Sequence, residues 1–152
     1  MGEAIITNRK AFRDYFFTDR WECGIELIGA EVKSIRAGNV SFKDTFARFE
    51  KGQMYLYNLH IEPYKQASYE NLEPDRPRKL LLHKKEVKKL ENESIVKSLT
   101  IIPTKLYYNK RGFVKVEIAL SKGKKFYDKR EDIKKRQVDK DLKRAVHTAR
   151  KR

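Results

Sequence analysis

The chain has 152 residues, with 36 Lys/Arg against 21 Asp/Glu, a formal net charge of +15, and 39% hydrophobic residues. That length fits one domain plus an extension, and the charge points to a polyanionic partner, a nucleic acid or an anionic membrane surface. No run approaches the roughly 18 apolar residues of a membrane span, and the single cysteine, Cys23, excludes an internal disulfide and fits a reducing cytoplasm.

The opening residues, MGEAIITNRKAF, lack the apolar stretch and cleavage site of a secretory signal, so a cytoplasmic location is expected. Asn8 to Phe12 is polar and basic, then turns aromatic with Phe12, Tyr15, Phe16, Phe17 and Trp21. Residues 15–28 are rich in β-formers. Within them Cys23, Ile25 and Leu27 alternate with Glu22, Gly24 and Glu26, which predicts a half-buried strand. Gly29 breaks that alternation. Val32 and Ile35, three apart, then predict a helix of about two turns over 30–36, stopped by Ala37-Gly38-Asn39.

Residues 42–49 and 54–59 read as a hairpin around Glu50-Lys51-Gly52-Gln53. Pro63, Pro74 and Pro77 bracket a long irregular loop, 62–77. Arg78-Lys79 lead into Leu80-Leu81-Leu82. Residues 83–99 show helical spacing in two pieces, Val87/Leu90 and Ile95/Leu99, meeting near Asn92. Residues 100–108 predict a strand that Pro103 makes an edge or a bulge. After the turn Asn109-Lys110-Arg111-Gly112, Val114, Val116, Ile118 and Leu120 alternate with Lys115, Glu117 and Ala119, the clearest strand in the chain. Five or six antiparallel strands with about three short helices predict a mainly β fold. A small barrel of the oligonucleotide-binding type fits best, because closure removes the edges that such short strands leave exposed.

Ser121 to Arg152 holds 14 Lys/Arg against 5 Asp/Glu, a net +9, which leaves +6 for Met1 to Leu120. Asp128 and Glu131 form a D-x-x-E helix start. Glu131–Lys135, Asp132–Arg136 and Asp139–Lys143 are acid-before-base pairs four apart. Val138, Leu142, Ala145, Val146 and Ala149 make only a thin apolar stripe, too little to hold a helix in water. The segment therefore reads as disordered when free and helical on a polyanion. The expected division is a body, 1–122, and a basic tail, 123–152.

Enzyme chemistry has little to stand on. There is no Gly-rich phosphate loop and no suggestive Ser-His-Asp order, and His60, His83 and His147 lack metal-ligand spacing. The carboxylate pairs Glu22/Glu26 and Asp128/Asp132 are flanked by bases and read as structural. No catalysis, cofactor or metal is expected. Basic residues do alternate with aromatics and Asn in several loops: Asn8-Arg9-Lys10, Lys33/Arg36/Asn39, Arg76-Pro77-Arg78-Lys79 and Lys122-Gly123-Lys124-Lys125-Phe126-Tyr127. Cations bind phosphates and exposed rings stack on unpaired bases. Glu31 has two readings of equal standing. A carboxylate at a helix start is favoured by the dipole; within a basic patch it also accepts hydrogen bonds from a guanine edge or a ribose 2′-OH.

Three stretches resemble small protein B, the bacterial tmRNA-binding family: Gly24-Ile25-Glu26-Leu27 through Gly29-Ala30-Glu31-Val32-Lys33-Ser34-Ile35-Arg36-Ala37-Gly38; Pro74-Asp75-Arg76-Pro77-Arg78-Lys79-Leu80-Leu81-Leu82-His83-Lys84; and Gly123-Lys124-Lys125-Phe126-Tyr127-Asp128-Lys129-Arg130-Glu131. Trp21 and Cys23 stand where that family commonly shows Tyr and Ala. The resemblance implies a barrel that holds the tRNA-like domain of tmRNA and reaches stalled ribosomes with elongation factor Tu. It also implies a tail that occupies the empty decoding centre and mRNA channel. It implies an RNA-binding set of Asn8, Glu31, Lys33, Asn39, Lys124 and Lys125, and a ribosome-triggering set of Asp128, Lys129 and Arg130. The competing expectation is a constitutive RNA-binding protein of the ribosome.

Overall fold

The computed structural model describes residues 4–64, 73–124 and 126–150. In chain order the elements are β1 (Ala4–Thr7), α1 (Arg9–Asp14), β2 (Tyr15–Ile25), α2 (Gly29–Arg36), β3 (Val40–Glu50), β4 (Gln53–Ile61), β5 (Arg78–Leu81), α3 (Lys84–Val96), β6 (Thr100–Tyr108), β7 (Val114–Gly123) and α4 (Phe126–Arg150). The strands are hydrogen-bonded in the order β1-β6-β3-β4-β5-β2-β7, and a further β6–β7 pairing closes six of them into an antiparallel barrel. The mainly β barrel expected from the sequence is the fold observed.

Alternation puts one face of each strand inside. Val116, Ile118 and Leu120 of β7 are fully buried with Leu56 and Leu59 of β4 and Leu106 of β6. Two seams of the barrel are short. β2 meets β5 only at Gly24–Leu81 and Ile25–Leu80, and β3 meets β6 only at Ala47–Ile101. A Cβ on Gly24 would lie 3.1 Å from the Leu81 Cβ, so the first seam closes because no side chain stands there. α2 is stopped by a Schellman turn: Asn39 N–H donates to Ser34 C=O (2.9 Å), Gly38 N–H donates to Ile35 C=O (3.0 Å), and Gly38 takes φ +81°.

The structure sharpens the sequence reading and corrects parts of it. Among the described residues three short helices precede the tail helix, as expected, but one was not foreseen: the N-terminal segment forms β1 and the six-residue α1. β1 lies along β6 beyond the point where β3 leaves it, pairing Ala4, Ile6 and Thr7 with Tyr107, Leu106 and Lys105. Residues 84–96 form one helix, not two; Asn92 is exposed on it and does not interrupt it. Of the two readings of Pro103, edge or bulge, the bulge is observed: the β6–β7 register slips between Pro103 and Lys105, where the far side of β6 changes partner from β3 to β1. The tail is seen as one helix of 25 residues, about 37 Å at 1.5 Å per residue.

Candidate nucleic-acid interface

The expected RNA-binding residues described by the structure divide into a buried pair, Asn8 and Glu31, an exposed pair, Lys33 and Asn39, and a half-buried Lys124. Asn8 is 7% exposed and caps α1: its Oδ1 accepts from Ala11 N–H (3.2 Å), while its Nδ2 donates to Pro103 C=O (2.8 Å). Its own N–H donates to Thr104 C=O (2.7 Å). Asn8 therefore ties α1 to β6 at the bulge.

Glu31 is 6% exposed and sits in the first turn of α2. Its Oε1 accepts from Ile28 N–H (3.1 Å) and Arg76 Nη2 (2.5 Å), and its Oε2 accepts from Arg78 Nε (2.6 Å). Arg78, whose side chain is fully buried, also donates to the carbonyls of Leu59 (2.6 Å) and Pro74 (2.9 Å). Burial alone would raise the Glu31 carboxyl pKa. The donors from Arg76, Ile28 and Arg78 outweigh burial and hold it below the ordinary value of 4.5. Burial pulls Arg78 below its ordinary range, against the opposing Glu31 carboxylate. Glu31 thus fastens residues 74–78 and the end of β4 to α2, in addition to its place at the helix start.

Lys33 and Asn39 are exposed, one on α2 and the other just past it, and Lys33 Nζ lies 5.5 Å from the Tyr64 ring. A cleft of about 330 Å³ between residues 6–10 and 40–42 lies beside this end of α2. Lys124 stands at the far end of α1: its Nζ lies 4.8 Å from the Phe16 ring and donates to Phe12 C=O (3.4 Å). Arg136 of α4 donates to the same carbonyl (2.8 Å), so two cations meet the C-terminal end of α1. Lys125 lies outside the described residues. Asp128, Lys129 and Arg130 fall near the start of α4, and Arg130 is exposed. Trp21 pairs with Ile118 on the inner face of β2 and is half-buried, with Lys89 of α3 5.3 Å from its ring. Its exchange is accommodated in packing.

Elsewhere on the barrel a groove of about 480 Å³ exposes apolar surface. Ile25, Leu27, Val32 and Leu81 form its floor, and Arg36, Arg111 and Lys115 its cationic rim. Phe113 stands in it 64% exposed and Leu81 49% exposed. No acidic residue among those described lines it. The turn before β7 fixes the ring: Asn109 Oδ1 accepts from the N–H groups of Arg111 (3.0 Å) and Phe113 (2.9 Å), and Gly112 takes φ +82°. Sequence reasoning missed this site, although the pattern held the signal. A strand cannot turn three consecutive leucines inward, so one of Leu80-Leu81-Leu82 must face out. Phe113 is likewise out of phase with Val114, Val116, Ile118 and Leu120. An exposed ring, an apolar floor and three cations suit an unpaired nucleotide, base on ring and phosphate on rim.

Among the described residues no cluster of His, Cys, Asp or Glu is arranged to hold a metal ion, and no helix is long and apolar enough to cross a membrane. Cys23 is buried, and burial pushes its thiol up to about 12, leaving it protonated at neutral pH.

Comparison with known proteins bears on the family and the fold. The chain is 54% identical over 138 residues to the SsrA-binding protein of Thermosipho melanesiensis, covering 91% of this chain and 94% of the relative. It is 52% identical over 139 residues to the SsrA-binding protein of Fervidobacterium nodosum, covering 91% and 93%. Its fold is similar to a chain in the solved structure "tmRNA-SmpB: a journey to the center of the bacterial ribosome", with TM-score 0.67 and 47% identity over 84% of this chain and 93% of that one. The family model for SmpB protein matches residues 5–148, and the chain belongs to that family.

Proposed function

We propose that this chain binds the tRNA-like domain of tmRNA across the Leu81–Phe113 groove and delivers it to stalled ribosomes. The observation that carries the reading is the groove itself, an exposed ring on an apolar floor with three cations and no acid. The names of its relatives and the ribosomal setting of the similar structure support it. Phe113 stacks on an unpaired base, and Arg36, Arg111 and Lys115 meet the flanking phosphates. Lys33, Asn39, Lys124 and Lys125 extend the contact. Asn8 and Glu31 serve as positioning residues that hold α1, α2 and residues 74–78 in place. The tail, 123–152, acts as a separate unit that becomes helical in the empty decoding centre and mRNA channel, with Asp128, Lys129 and Arg130 as the trigger. Elongation factor Tu is engaged indirectly, through the charged tmRNA, and the work takes place in the cytoplasm.

Titration with tRNA-like-domain RNA tests the reading. Phe113→Ala with Lys115→Gln should weaken binding at least about tenfold, since one stacked base contributes roughly 1–3 kcal/mol. The thermal midpoint should hold, because Phe113 is mostly exposed. For about six neutralised phosphates, log K should fall against log salt with a slope of roughly −4 to −5. Unchanged affinity in the variant, or a flat salt dependence in the parent, sinks the proposal.

A further inference from the structure

A second cleft of about 480 Å³ lies on the other side of β5 from the groove. Its walls are the β3–β4 turn, β5 and the first half of α3. Four lysines line it, Lys51, Lys79, Lys84 and Lys88, over a floor that includes Met54, Leu80 and Val87. Glu91 is the only acid among the described residues of the lining. None of the four lysines takes part in an ion pair among the described residues.

Part of the charge on α3 works against the helix, although Glu86 in its first turn suits the dipole and accepts from His83 N–H (3.1 Å). Lys84 and Lys85 occupy its first turn, at the positive end of the helix dipole, where a cation is disfavoured. Lys84/Lys88 and Lys85/Lys89 are like-charge pairs four apart, which are destabilising by about 0.2–0.5 kcal/mol each. Only Leu90 of α3 is buried, so packing does not dictate the choice of residue at positions 84 and 88. Where a sequence breaks a local rule with no gain in stability, function is the place to look.

We infer that this lysine cleft binds the phosphate backbone of the same RNA that occupies the Leu81–Phe113 groove. Continuity identifies the occupant. Leu81 lines the groove, while its neighbours Lys79, Leu80 and Leu82 line the cleft, so the two sites lie on opposite flanks of one strand. Strands are spaced about 4.8 Å apart, so the two flanks of β5 are a short step apart along a polynucleotide. An RNA that places a base on Phe113 carries its backbone over the end of β5 toward Lys79. Lys84 and Lys88 from α3 and Lys51 from the β3–β4 turn then close on it from two sides. The cleft recognises phosphate and no base edge, so it adds affinity and orientation without reading sequence. The inference rests on the reading of the groove as an RNA site, and the experiment separates the two.

The test measures binding of tRNA-like-domain RNA by the full chain over a salt series. Lys84→Gln with Lys88→Gln should weaken binding about tenfold near 0.1 M salt and make the log–log slope shallower by about 1.4–1.8, two contacts at roughly 0.7–0.9 each. A control pair away from the cleft, Lys43→Gln with Lys97→Gln, removes the same charge and should change affinity less than about twofold. Lys84→Glu adds a sign test, since it suits the helix dipole and pairs with Lys88, so the thermal midpoint should rise while affinity falls. Damage to the fold cannot produce that combination. Normal affinity and slope in the Lys84/Lys88 variant, with Phe113→Ala still defective, overturns the cleft and leaves the groove standing. Loss of ribosome binding with RNA affinity intact assigns the cleft to a different RNA and also overturns the inference. If Phe113→Ala binds normally as well, the groove reading fails and takes this one with it.

Discussion

The barrel and the tail use charge in opposite ways. The barrel buries Glu31 and Arg78 against each other, with the fully buried Arg78 side chain also bonded to three backbone carbonyls. The stretch from Ser121 to Arg152 carries net +9 in 32 residues, and every side chain described from Ile133 to Arg150 is exposed. A buried ion pair is held by its surroundings, and removing one partner strands the other away from water. An exposed charge has water as its alternative partner, so it is held weakly and is free to be transferred to a phosphate. In the barrel charge fixes shape; in the tail it is kept for a partner.

The sharpest way to break that contrast is at Glu31. Glu31→Gln keeps the shape but leaves Arg78 buried and uncompensated, with a cost to unfolding free energy of about 3–5 kcal/mol. Chemical denaturation measures it. A cost below about 1 kcal/mol would place Glu31 with the exposed charges. The pH dependence has a definite sign. The Glu31 carboxyl titrates below its ordinary 4.5 in the folded chain, so its contribution is complete above about pH 4.5 and is lost as pH falls from there through the folded-state value. A stability profile flat from pH 6 to pH 3, compared with that of the Gln variant, would contradict the network.

Asn8 comes next. Asn8→Ala removes the cap on α1 and leaves Pro103 C=O without its donor, for an expected loss of about 2 kcal/mol. Asn8→Asp retains the acceptor for Ala11 N–H and loses the donor to Pro103, so it separates the two bonds. Equal losses in both variants would assign the whole effect to Pro103. RNA affinity should fall only through the displacement of α1, and less than in the Phe113 variant.

How far the sequence was readable follows from how far apart the partners of each element lie. β7 shows itself by alternation, and the β3–β4 hairpin by a turn of the right composition; both signals are contained within a dozen residues. The second turn of α2 shows itself by its stop at Gly38. β1 and α1 do not. Four and six residues are too few to display a period, and what holds them is β6, some 95 residues further on, through Asn8 and Pro103. The same distance effect hid the role of Glu31: its partners Arg76 and Arg78 lie 45 and 47 residues away. The groove was half visible, because outward-facing Leu81 and Phe113 violate their strands' phase, while the convergence of Arg36, Arg111 and Lys115 on them depends on barrel closure.

The smallest expected effect on stability belongs to the tail, and it carries the largest functional consequence. A chain stopped after Phe126 loses nearly all of α4. The loss includes the Arg136 bond to Phe12 C=O, and an exposed hydrogen bond of that kind contributes about 0.5–1.5 kcal/mol. No core residue is lost, since Ile133, Val138, Leu142 and Val146 are each more than half exposed. The barrel should therefore unfold within about 1 kcal/mol of the full chain. It should bind tRNA-like-domain RNA within about tenfold, because Lys124 and Lys125 remain while the lost cations contribute only general attraction. Peptide tagging on stalled ribosomes should disappear, and replacing Asp128, Lys129 and Arg130 together by Ala should reproduce that split. The isolated segment 123–152 should show little helix by circular dichroism in dilute buffer and more with RNA, because its apolar stripe buries nothing until a partner covers it. A truncated chain that is strongly destabilised would mean that α4 belongs to the barrel's own packing. A truncated chain that still supports tagging would mean that the barrel alone senses the empty ribosome. Either result would erase the distinction between charge that fixes shape and charge held for a partner.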